Sequence, residues 1–94
     1  MLFKKKIIKP GTLFKVKDQN FFNEETTFFS YDFHKKETRW DVEHKVKIFK
    51  TDIFVFTGET EEASFEKIVM FNVMQNYYVS FLKSWIERIL EEIK

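Results

Sequence analysis

Few side chains in this sequence could do chemistry. The histidines are His34 and His44, and there is no cysteine. Asp32, His34 and Glu37 lie close enough to contribute to a metal site. However, protein metal sites draw three or four ligands with supporting hydrogen bonds, and no recognised ligand spacing appears. A turn histidine at 34 and a hydrogen-bonded, inward-facing histidine at 44 are the plainer assignment. Ser30, Ser64, Ser80 and Ser84 do not sit in a nucleophile elbow, and no thiolate is available. Two glycines, at 11 and 58, cannot make a glycine-rich phosphate loop. No catalytic residue, metal ligand or cofactor is therefore assigned, and the chain reads as a non-enzyme that acts by binding.

Two kinds of binding surface can be drawn. For single-stranded nucleic acid, Lys4, Lys5, Lys6, Lys15, Lys17, Lys45 and Lys47, with Arg39, would supply charge, and Tyr31, Phe33 or Trp40 would stack bases. Asp41 and Glu43 interrupt that charged face, and a net charge of +1 gives no global basic field. For a protein partner, aromatics and arginine are the usual anchors. The candidates are Tyr31, Phe33, Arg39 and Trp40, with the loop pair Phe21 and Phe22. Each could equally serve the core. A third reading is an oligomer that holds a small nucleotide between subunits, for which no specific residue argues.

Composition bears on that choice. Thirteen Phe, three Tyr and two Trp exceed what a 94-residue chain can fully bury. Some aromatic area is therefore exposed, or is covered by a partner or a second copy. Sixteen residues are Lys or Arg, and only Arg39 and Arg88 are arginine. A genome rich in A/T codons accounts for that lysine bias. The first seventeen residues carry lysines at 4, 5, 6, 9, 15 and 17 and no acid, whereas 51–66 carry acids at 52, 59, 61, 62 and 66 and no base. Such blocks suit antiparallel strands that pair charges across a sheet.

The elements that would position these residues follow from periodicity. Residues 1–9 read as a basic arm, flexible or along a sheet edge, ended by Pro10–Gly11. Thr12–Lys17 alternates as a first strand, Asp18–Glu25 is a loop, and Thr26–Phe33 is a second strand. His34–Glu37 is a turn. Arg39–Ile48 alternates over its whole length, with Trp40, Val42, His44, Val46 and Ile48 inward. Ile53–Thr57 is a short apolar run, central in the sheet and buried on both faces. Glu59–Glu62 is an acidic turn, and Phe65–Met74 and Tyr77–Phe81 form a hairpin joined at Gln75–Asn76. Leu82, Trp85, Ile86, Ile89, Leu90 and Ile93 fall on one helical stripe, which predicts an amphipathic helix over about 80–93, capped by Ser80. Docked on the sheet, the stripe makes Trp85 a core residue.

The expected fold is one mainly-β (β+α) domain over 1–94: a small antiparallel barrel or rolled sheet of five or six strands with one C-terminal α-helix. Ile7–Ile8 is too short an apolar core for a signal peptide, and no run approaches the length of a membrane span. A cytoplasmic setting without membrane contact is expected.

Two stretches carry a resemblance. Lys9-Pro10-Gly11-Thr12-Leu13-Phe14-Lys15-Val16-Lys17 resembles the leader and first strand of small Src-homology-3-like barrels found among phage accessory proteins. Asp52-Ile53-Phe54-Val55-Phe56-Thr57-Gly58-Glu59 resembles their central strand and following turn. The chain departs from that pattern in its Phe-rich second strand and its terminal helix. The resemblance implies an SH3-like barrel of viral origin, acting in the host cytoplasm by docking on and inhibiting a host protein, such as a defence factor. It carries over no site residues.

Overall fold

A computed structural model describes residues 8–17, 28–62 and 66–93. Strand β1 (Leu13–Val16) is followed by four two-residue strands: β2 (Phe28–Phe29), β3 (Tyr31–Asp32), β4 (Glu37–Thr38) and β5 (Lys45–Val46). Then come β6 (Ile53–Glu62), β7 (Glu66–Asn72), β8 (Tyr77–Leu82), helix α1 (Lys83–Ile89) and β9 (Leu90–Glu92). The main sheet has five antiparallel strands in the order β8-β7-β6-β1-β9, and β2-β5 and β3-β4 form two small ribbons. Among the described residues the fold is thus mainly β, with one α-helix near the C-terminal end. Among the described residues no ladder joins β8 to β9, so the expected barrel closure is not found.

The core forms where alternating strand residues meet the helix. Phe14 of β1, Phe54 and Phe56 of β6, Met70 of β7 and Phe81 of β8 are buried against Ile86 and Ile89 of α1. Phe81 takes Phe28 and Phe54 edge-on, with ring centres 5.3 and 5.4 Å away; aromatic pairs favour this geometry because ring edges and faces carry opposite partial charge. β6 lies between β1 and β7 and reaches beyond the apolar run. Residues 59–62, expected as a turn, continue it as strand. Its register shifts between Phe56 and Thr60, around Gly58 at φ +90°. Ile53 and Val55 are half-buried and alternate with buried Phe54 and Phe56, so the strand is central without being sealed on both faces.

The predicted terminal helix is corrected. Only Lys83–Ile89 is helical, and Leu90–Glu92 pairs with β1. Lys17 N–H donates to the Ile89 carbonyl at 2.8 Å, and Ile93 N–H to the Leu13 carbonyl at 2.9 Å. The open edge of β1 offers backbone partners that a short helix cannot match by propensity alone. Leu90 stays buried, now from a strand, while Ile93 is 37% exposed. Ser80 lies within β8 and caps nothing.

The predicted strand Arg39–Ile48 is also corrected. Only Lys45–Val46 is strand, and Val42–His44 forms a 3-10 turn. Asp41 is the cause. Its carboxylate meets His44 Nδ1 at 2.6 Å, and its carbonyl accepts the His44 N–H at 3.0 Å. Local bonds of this kind compete directly with a ladder. Trp40 and Val42, expected inward, are 68% and 76% exposed, while Val46 and Ile48 keep their inward places. The second strand is likewise split, because Ser30 leaves the ribbons to bridge Val79 of β8. Phe21, Phe22, Lys4, Lys5 and Lys6 lie outside the described residues.

Candidate functional site

The β3–β4 hairpin carries most of the candidate residues. Its turn is set by Asp32, whose Oδ1 accepts the N–H groups of His34 at 3.0 Å and Lys35 at 2.9 Å. Its Oδ2 stands 3.5 Å from Arg39 Nη2. The Lys35 amide has the largest effect and lowers the Asp32 carboxyl; desolvation comes next and opposes it, and Arg39 and the His34 amide add to the lowering, so the carboxyl lies below its ordinary value. Lys36 takes the left-handed conformation at φ 58° and pairs with Glu59 at 3.6 Å. Asp32 and His34 are therefore occupied in making the turn. Among the described residues no group of three or more potential ligands is placed to hold a metal ion.

Two concavities adjoin this hairpin. The wider, of about 350 Å³, is bounded by Tyr31, Phe33, His34, Arg39, Asn76 and Tyr78 among others. Phe33 stacks on Tyr78 with centroids 4.6 Å apart, and Tyr78 leans on Phe71 at 4.8 Å. Tyr31 is buried at 2% and meets Phe33 edge-on at 6.3 Å, so it supports the aromatic row from beneath. The narrower groove, of about 240 Å³, lies between Trp40 and Trp85, with Phe29, Leu82 and Lys67 on its walls. At its floor the hydroxyls of Thr38 and Ser80 are 3.3 Å apart. Trp40 rests on Phe29 at 5.4 Å and carries the Lys67 ammonium 4.7 Å from its ring centre.

No family model, curated protein or solved structure matches the chain.

Of the sequence candidates, Tyr31, Phe33 and Arg39 come together in one concavity and Trp40 stands in the other. The candidate lysines among the described residues are held in different ways. Lys15 faces Glu91 at 3.7 Å, and Lys17 donates to the Glu87 carbonyl at 3.3 Å, near the end of α1 where a cation is favoured. Lys47 hangs over Phe49 at 5.9 Å. Lys45 lies opposite Phe29 in the β2–β5 ladder, on the same face.

Phe29, Lys67 and Tyr78 escape the sequence reading. Each is strand in the structure and lies in a stretch expected as strand, but which strands sit side by side is not encoded in any local pattern. Among the described residues no helix is long and apolar enough to cross a membrane.

Proposed function

We propose that this chain is a non-enzymatic protein-binding module, built on a small rolled sheet of the Src-homology-3-like kind, that docks on another protein through the β3–β4 hairpin and its flanking aromatics. The observation that carries this is Trp40. It is 68% exposed, yet held from one side by Phe29 and capped by Lys67. An indole fixed in place and left open to water matches the preorganised aromatic anchors that dominate interfaces. Arg39 and the Phe33–Tyr78 stack, in the wider concavity, add further residue types enriched at such surfaces. Support for the rolled-sheet reading comes from the pairing of the first and last main-sheet strands, β1 and β9, and from the bulge at Gly58, since bulges help sheets curl. Inhibition of a host factor by a virus-encoded protein is the form of this function that the sequence resemblance suggests.

No observation favours the nucleic-acid reading in particular. Lys15 and Lys17 are engaged away from the exposed aromatics, and the ammonium of Lys67 occupies a face of Trp40 on which a base would stack.

The test is affinity capture from host lysate with the wild-type chain and with Trp40→Ala, read by mass spectrometry. At least one protein should be retained by the wild type and lost with Trp40→Ala at unchanged melting temperature. Identical captures would overturn the reading.

A further inference from the structure

We infer that the groove between Trp40 and Trp85 receives one large apolar side chain from an extended acidic segment of a partner protein, whose carboxylates meet Lys67 and Lys45. This rests on the docking reading above and names the chemistry of the partner.

Size and lining define the central contact. At about 240 Å³ the groove is smaller than typical cofactor or drug sites, which run from roughly 300 to 1,000 Å³. That volume suits a single anchor side chain. Phe29, Trp40, Leu82 and Trp85 offer it apolar walls, and the buried Thr38 and Ser80 hydroxyls, 3.3 Å from each other, lie at its floor. An aromatic or branched aliphatic group gains from leaving water here, whereas a charged tip would find no counter-ion at the floor.

Charge at the rim defines the flanks. Lys67 lies opposite Leu82 in the β7–β8 ladder, and Lys45 lies opposite Phe29 in the β2–β5 ladder. Directly opposed residues share a face, so both lysines stand on the side of the groove walls. Among the described side chains neither lysine forms an ion pair, whereas Lys15, Lys36, Arg39 and Lys83 each do. The Lys67 ammonium lies over the Trp40 ring, which places its charge at the wall of the groove.

The test uses the full chain and a fluorescein-labelled acetyl-Glu-Glu-Phe-Glu-Glu-amide, followed by anisotropy. Saturable binding is expected. It should weaken about tenfold or more when the central Phe becomes Ala, when the four acids become lysines, or with Lys67→Met or Trp40→Ala. Melting temperatures of both variants confirm that they fold, and Lys67→Met retains the apolar stem. Absence of binding up to millimolar peptide overturns the inference, as does equal binding of the lysine peptide. Tighter binding of a thymidine oligonucleotide that displaces the peptide also overturns it. Failure of the peptide alongside Trp40-dependent capture of a lysate protein would sink this inference alone; identical lysate captures by wild type and Trp40→Ala would sink the docking reading as well.

Discussion

The ammonium of Lys67 lies 4.7 Å from the centre of the Trp40 ring. The two residues come from the central hairpin of the main sheet and from the linker after β4, so the contact ties an outlying loop to the scaffold. A double-mutant cycle with Lys67→Met and Trp40→Ala should give a coupling of about 0.5–1 kcal/mol in urea unfolding, as for other exposed cation–π pairs. A coupling indistinguishable from zero would mean that Trp40 is not held by Lys67.

Asn72 organises the turn between β7 and β8. It is fully buried, its Oδ1 accepts the N–H groups of Met74 and Gln75 at 3.0 and 3.1 Å, and its Nδ2 donates to the Tyr77 hydroxyl at 3.0 Å. Asn72→Ala leaves these groups short of partners and should cost about 1–3 kcal/mol by chemical denaturation. Asn72→Asp keeps the acceptor but brings a buried charge, and should be no better tolerated.

Two groups set opposite ends of the pH profile. Burial, aided by the nearby Asp52 carboxylate and opposed by the bond from Asn72, pushes the Tyr77 hydroxyl up from 10.0 to about 12. Its raised value means that its contribution is complete below pH 10.0 and is lost as pH rises towards 12. The Asp32 carboxyl is lowered from 3.8, so its contribution is present above that pH and is lost on further acidification. Tyr77→Phe should remove a late-titrating component from the phenolate absorbance, and an unchanged titration would contradict the raised value.

Gly58 is the bend in β6. A Cβ there would lie 2.9 Å from Cγ of Pro10, and the backbone is at φ +90°. Gly58→Ala should therefore cost about 1–3 kcal/mol, combining left-handed strain with displacement of the Pro10 ring. Gly11, at φ +92°, has open space around its Cβ position and bears only the conformational part of that cost. A Gly58→Ala melting temperature equal to that of Gly11→Ala would show that the Pro10 contact carries no weight.

The two tryptophans should part company. Trp85 packs against the core from α1, whereas Trp40 is mostly in water. Trp85→Ala should lose about 2 kcal/mol and Trp40→Ala less than about 1 kcal/mol. Similar losses in thermal melts would reverse the assignment of one to the scaffold and the other to recognition.

Sequence patterns read well where a residue's environment was set by near neighbours. The first strand, the 34–37 turn, the β7–β8 hairpin and the inward Phe14, Phe54 and Phe81 all follow from alternation and turn chemistry. They misled where tertiary partners outbid local preference. The helical stripe ending at Leu90 and Ile93 was equally compatible with pairing on β1, and only the position of that strand decides. The ten-residue alternation after Arg39 had no ladder partner long enough to hold it, and Asp41 supplied a local alternative. Of the site, the residue types at 31, 33, 39 and 40 were legible, but their division between two concavities depends on which strands lie beside the hairpin.

The ladder between β1 and β9 sets a clock on assembly. Lys15 faces Glu91, nearly the whole described chain away. Closing so large a loop costs more entropy than closing the β6–β7 and β7–β8 hairpins, so this ladder should form after them. During synthesis, residues 13–16 wait with one edge open until residues 90–92 leave the ribosome. In that interval β1 is a docking place for any passing extended segment, including its own copy in a neighbouring chain, so misassembly by strand exchange is the failure to which this topology is most exposed.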